Sequence, residues 1–343
     1  AKSDGCTKDE FRPSGNPAFN NTPNNPNQIW GRTGGDKVPV DPDLSAQSSD
    51  EFVVGGEYEI FSDARLGLTY THRYMNRAIE DMSRDEANTY FLGNPGYGIS
   101  ADFPKAIRDY DAVTVYFQKN FSINWLANVS SSASSSRGNY GGLFRTETGQ
   151  LDPNITSDFD LKSLLPNRVG QLPSDRTHSL KVYAAKDFIL PGGMDLLFGA
   201  SFRTRSGTPL NYLGSHPIYG GEEVFILPRG AGGRNDWIHN VDLKVGYSVQ
   251  LSKSSTASLS VDIFNIFNFQ GATGRDQVFT NEDATPITNA DGTPATPTDI
   301  NNPAKFTHPD GSPITAAERN PNFLKPTSYQ DPRQFRFGAK VTF

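Results

Sequence analysis

Cysteine is nearly absent from this 343-residue chain, and Cys6 alone can form neither an internal disulfide nor a cysteine-based metal cluster. Long apolar runs are absent as well. No window approaches the roughly 20 apolar residues that a transmembrane helix needs, which excludes an α-helical membrane protein. The opening Ala1-Lys2-Ser3-Asp4-Gly5 has no charged stretch followed by an apolar one, so no signal peptide is visible. Positive charge is scarce: 32 Lys and Arg stand against 38 Asp and Glu, for a net charge of -6. With no basic stripe to neutralise phosphates, nucleic acid is not expected as a partner. At 35% hydrophobic residues and a mean hydropathy of -0.54, the chain is lean for a large soluble core.

What is present points elsewhere. Gly 32 and Pro 24 indicate much turn and loop, yet Tyr 13 and Phe 23 are high for so polar a chain. A β-structure that spans a membrane with strands of about 9–11 residues, apolar at alternate positions, reconciles the two. Nine segments show that alternation. They run over about 51–61, 64–76, 110–119, 122–132, 176–187, 193–204, 239–250, 256–267 and 331–343. The seventh is the clearest: Val241, Leu243, Val245, Tyr247 and Val249 alternate with Asp242, Lys244, Gly246, Ser248 and Gln250. Arg65, Lys181, Arg203, Lys244 and Arg336 all share the polar parity, as expected if the other parity faces lipid, where a Lys or Arg costs about 2–4 kcal/mol at the midplane.

The connections alternate in length. Those near 62–63, 120–122, 188–192 and 251–255 are short, with Asn120 and Ser122 expected to mark one tight turn, while 77–109, 133–175, 205–238 and 268–330 are long. Outer-membrane barrels pair short periplasmic turns with long external loops. A soluble antiparallel sandwich would also alternate, but has no reason to alternate short with very long connections. The expected fold is therefore all-β: part of an antiparallel transmembrane β-barrel of about nine strands with long extracellular loops, occupying 51–343. Residues 1–50 are expected to be an extracellular loop region. On the same count the last strand runs inward, and the chain starts in mid-barrel.

Several stretches resemble the Oar-like branch of the TonB-dependent receptors. They include Arg137-Gly138-Asn139-Tyr140-Gly141-Gly142-Leu143-Phe144, Leu165-Pro166-Asn167-Arg168-Val169-Gly170 and Phe225-Ile226-Leu227-Pro228-Arg229-Gly230. The segments Leu180 to Phe188, Phe202 to Leu210 and Val261 to Asn268, and the closing Phe335 to Phe343, are similar to the same branch. The resemblance covers about 110–343. It implies a bacterial outer-membrane transporter that takes up or moves an unidentified substrate using energy delivered through TonB. In that branch the plug and TonB box lie upstream of the stretches matched, so no residue is assigned as the TonB contact, and the TonB complex is expected to act through an N-terminal part that precedes Ala1. Some members are linked instead to adhesion, development or secretion. A passive porin and a secreted adhesin stay open as alternatives.

Phe335, Phe337, Val341 and Phe343 form an aromatic last strand of the kind read by the barrel assembly machinery, which recruits it along its edge. Outer-membrane lipid is the other expected partner. Asp262 is expected to pair with a cation of the polar face such as Lys244, and Asn265 and Asn268 to cap strand ends. Tyr70, Tyr74, Trp125, Tyr116, Tyr247 and Trp237 are placed as an aromatic girdle. Tyr97, Tyr212 and Tyr219, on long loops, are the candidates for capturing a ligand.

Acidic and asparagine side chains, with oxygens suited to calcium, cluster at Asp152, Asn154, Asp158 and Asp160, and at Glu282, Asp283, Asp291 and Asp299. Neither run has the spacing or mid-loop glycine of a dedicated calcium loop, so both are expected to be solvated loop. The repeats Thr285-Pro286-Ile287-Thr288, Thr293-Pro294 and Ser312-Pro313-Ile314-Thr315 look like surface spacer. His178-Ser179 is the one adjacent base and nucleophile within a strand, and adjacent strand residues face opposite sides. His72, His216, His239 and His308 lack metal-ligand spacing. No catalytic residue, metal site or cofactor is expected, and the chain is not expected to be an enzyme.

Overall fold

Alternating apolar and polar residues lay this chain out as strands, and the computed structural model describes residues 38–150 and 156–343 of it. One unit spans Val40–Phe343. Cys6, Asp152, Asn154 and most of the expected 1–50 loop lie outside the described residues. The long strands are β1 (Ser48–Phe61), β2 (Ala64–Arg77), β3 (Arg108–Ser122), β4 (Trp125–Gly138), β5 (His178–Leu190), β6 (Met194–Arg205), β7 (Ile238–Gln250), β8 (Thr256–Phe264) and β9 (Gln334–Thr342). They follow chain order through one antiparallel sheet. Each of the nine alternating segments forms its strand. Among the described residues β1 pairs only with β2 and β9 only with β8, so the sheet is an open section of wall.

Register gives that wall two unlike faces. One row of directly opposed residues, Tyr58, Leu66, Phe117, Val129, Val182, Phe202 and Val241, crosses from β1 to β7. A second, Phe198, Val245, Val261 and Phe337, continues to β9. Opposite parity carries Arg65, Gln118, Asn128, Tyr183, Ser201 and Asp242 in one row. The apolar face is uncovered: Tyr58 is 75% exposed, Phe335 56%, Phe337 77% and Val245 38%. A soluble sandwich would bury these residues beneath a second sheet. None lies over them among the described residues, and an apolar surface this large requires a nonaqueous neighbour.

The ends of strands are set by local chemistry. The turn between β3 and β4 is formed by Ile123 and Asn124, both at positive φ (51° and 61°), rather than by Asn120 and Ser122. Two left-handed residues make the turn whose twist suits a two-residue hairpin, and Ile123 pays a steric penalty there. β4 continues to Gly138, past the expected end near 132. Its serine-rich second half, Ser131 to Ser136, pairs with β3 by backbone and shows almost no hydrophobic alternation. β8 stops at Phe264 because Asn265 and Asn268 adopt positive φ and turn the chain out of the sheet.

The long connections carry the buried core. Leu161, Leu164, Val224, Ile226, Leu227, Ile287, Ile300, Phe306 and Ile314 pack into one apolar cluster, and Ala78, Met82, Phe91, Phe103, Tyr140 and Phe159 into another. Short strands brace them: the hairpin Glu80–Met82 with Phe91–Gly93, and Leu213–His216 between Gly220–Phe225 and Val278–Asp283. This corrects the spacer reading of 285–315. Ile287 and Ile314 are 2% and 3% exposed, so the Thr-Pro-Ile-Thr and Ser-Pro-Ile-Thr segments place isoleucines into the core. Isolated apolar residues in a polar run have no period to betray their burial.

Candidate functional site

The polar face of the wall is a continuous field of paired charge. Lys244 Nζ donates to Asp262 Oδ1 at 2.9 Å, and Arg336 Nε to Asp262 Oδ2 at 2.9 Å, so the expected Lys244 pairing stands and a second cation shares it. Asp242 accepts from Ser201, Arg203 and Asn240 and from the backbone N–H of Asn265. Asn265 also donates to the carbonyls of Phe269 and Asp331, while Asn268 accepts from the Arg333 N–H, as strand-end caps should. Glu57 accepts from Arg65 and from the Tyr116 hydroxyl. Tyr116 therefore belongs to the polar face and not to the aromatic girdle. Its ring lies over Gly67, where a Cβ would come within 2.2 Å of the ring. A recess of about 460 Å³ on this face is lined by Lys181, Arg203, Arg205, Asn240, Gln330, Asp331 and Gln334. Its polar, mixed-charge lining suits a polar guest.

At the loop side of the apolar face, aromatic rings gather. His178, Trp237 and His239 stack in sequence, with centroids 6.1 and 6.2 Å apart and ring planes within 9°. Tyr70 and Tyr74 donate to Asp111 and Asp50. At the turn side lie Trp125, with Lys119 Nζ 4.9 Å above its ring, and Tyr247. His178 and Ser179 face opposite sides, since they oppose Ala133 and Ser132 on β4.

The ligand-candidate tyrosines are spread through the loop layer. Tyr97 lies beneath Arg77, whose Cζ is 3.3 Å from the ring centroid, and beneath Lys105 Nζ at 4.7 Å. Tyr212 packs on Phe279 and Phe323. Tyr219 donates to Asp160 Oδ2 at 2.6 Å and meets the Tyr90 hydroxyl at 2.7 Å. The structure does not bring the three together.

What it does bring together could not be read from spacing. Asp158, expected in solvated loop, is 2% exposed, because Arg145, Arg168 and Arg229 surround it. Burial alone pushes its pKa up, but the three guanidiniums outweigh that and hold it below the usual carboxylate range. Glu147 pairs with Arg229, and Glu223 with Arg145 and Arg168, so three cations meet three anions. The Phe225 ring backs all three guanidiniums, at 4.5 to 5.9 Å.

Beside this balanced cluster sits an unbalanced one. Glu80, Asp81 and Asp160 each place a carboxylate oxygen within 4.8 Å of the others. Glu80 is fully buried and Asp160 is 8% exposed, so Asp160 too departs from the solvated-loop expectation. The Thr156 N–H donates to Glu80 Oε2 at 3.1 Å and the Ser83 N–H to the Asp160 carbonyl at 2.7 Å, fixing the two loops against each other. Burial and the Asp158 charge push the Glu80 carboxyl up to about 9, burial raises Asp81, and burial with the Asp81 charge raises Asp160. The second acidic run stays at the surface: Asp291 holds Thr293, and Asp299 holds Lys305.

No family model matches the sequence, and no solved structure matches the fold. Among characterised proteins, the chain is 52% identical over 320 residues to the TonB-dependent transporter Oar of Myxococcus xanthus. That match covers 91% of the chain and 30% of the relative, so the chain spans under a third of the transporter's length. With its antiparallel all-β wall, apolar on one face and charged on the other, the chain corresponds to a part of the β-barrel of an Oar-like TonB-dependent transporter.

Proposed function

We propose that this chain forms a section of the wall and the external cap of an outer-membrane transporter that moves its substrate with energy delivered through TonB. The observation that carries the reading is the two-faced sheet. Its uncovered apolar rows meet lipid, its charged rows line a polar passage, and its long connections collect on one side as a packed cap. The substrate passes the polar recess on the charged face, and Tyr97, Tyr212 and Tyr219, elsewhere in the loop layer, are the candidates for its first capture. Phe335, Phe337 and Val341 on β9 and Phe343 just after it are all more than half exposed, which supports their reading as the strand that the barrel assembly machinery recruits. The TonB complex and the assembly machinery are the protein partners of this reading. No step in it calls for covalent chemistry or a cofactor.

Topology is the direct test. In a Cys6→Ser background, Asp291→Cys in the loop 265–333 should react with a membrane-impermeant maleimide on intact cells. Ser254→Cys, in the turn between β7 and β8, should react only after lysis. Both positions labelling on intact cells, or the chain remaining soluble without detergent, would remove the membrane reading in favour of a secreted adhesin.

A further inference from the structure

We propose that Glu80, Asp81 and Asp160 form a divalent-cation site of the calcium class, which ties the hairpin Glu80–Met82 and Phe91–Gly93 to the segment 156–164. Two independent observations carry it. The first is geometry: three carboxylate oxygens from two separate loops converge within 4.8 Å. Calcium binds oxygen at about 2.3–2.6 Å, so ligands on opposite sides of one ion stand up to about 5 Å apart, and the spacing of the three carboxylates is compatible with one shared ion. An all-oxygen donor set excludes the softer transition metals as the natural guest.

The second is the state of the two buried members. Glu80 Oε1 and Asp160 Oδ1 are both inaccessible and have no hydrogen-bond partner. Their sister oxygens are already used, by the Thr156 N–H and the Tyr219 hydroxyl. Nor can the neighbouring arginines supply the countercharge, because Asp158, Glu147 and Glu223 already match Arg145, Arg168 and Arg229 one for one. Buried acceptors without donors are a costly arrangement, which a cation bound beside them would relieve. The ion's role on this proposal is to tie the two loops of the cap together.

The experiment titrates CaCl2 into the full chain, purified in detergent and stripped with EGTA, while bound 45Ca and thermal unfolding are followed. One saturable site is expected, with a dissociation constant on the order of 10⁻⁴–10⁻³ M, as in extracellular modules. It should raise the unfolding temperature. In the double variant Glu80→Gln, Asp160→Asn, binding should weaken by roughly tenfold or more, while unfolding in EGTA occurs at or above the wild-type temperature because repulsion is relieved. Absence of saturable binding by the wild type, wild-type binding by the variant, or an equal thermal shift from NaCl at matched ionic strength would each overturn the proposal. So would a variant that unfolds earlier than wild type in EGTA, since the carboxylates would then be held by protein alone.

Discussion

Protonation states inside the loop layer follow from which partners can donate. At His216 the network leaves one choice. Ser163 spends its hydroxyl hydrogen on Glu86, so its oxygen accepts from His216 Nε2 at 3.0 Å. His216 Nδ1 in turn accepts from the backbone N–H groups of Ile218 and Tyr219, at 3.2 and 3.4 Å. The ring is therefore neutral, with its proton on Nε2, and a second proton would face two donors. Burial lowers its pKa accordingly. Below the unfolded value of about 6.5, the unfolded chain binds a proton that the folded cap refuses, so this contribution is complete above that pH and is lost as pH falls through it. Protease protection of the segment 206–237 should hold above about pH 6.5 and decline as pH falls below it. The decline should be blunted in His216→Gln, and a variant with an undiminished decline would place the titration elsewhere.

Strands in this wall are specified by parity, which makes neighbouring substitutions unequal. Val245 opposes Phe198 and Val261 on the apolar face, whereas Lys244, one residue away, opposes Asp262 on the charged face. Val245→Arg should cost about 2–4 kcal/mol at the membrane midplane and sharply reduce assembled barrel in outer membranes. Lys244→Gln leaves Arg336 on Asp262 and should have little effect. Equal losses, measured as heat-modifiable barrel in membrane fractions, would contradict the assigned faces. This same parity made all nine strands legible in the sequence, together with the Lys244–Asp262 pair, because a period of two survives translation directly into facing. The serine-rich half of β4 lacked it and was cut short. Tyr116 was misplaced because nearness to a strand end does not determine which face a ring takes. The cap was illegible for a deeper reason. Ile287, Ile314, Asp158 and Asp160 are buried by contacts between separate loops, as when Ser83 bridges Leu161, and no local spacing records a partner so far along the chain.

As a whole the molecule reverses the usual distribution of burial. Its regular strands present their large side chains outward, and its irregular connections enclose the core. Two different media therefore hold the two layers together. On the proposed membrane reading, lipid sustains the wall, where ladder hydrogen bonds have no water to compete with them. Water sustains the cap, by expelling its apolar residues in the ordinary way. A denaturant that works through water should separate them. Urea at rising concentration should strip protease protection from the connections while the barrel in its micelle still migrates as folded; simultaneous loss of both would mean that one layer cannot stand without the other. For the proposed transporter the reversal has an economy of its own: a rigid frame and a cap that can loosen separately are made from one chain, because each answers to a different solvent.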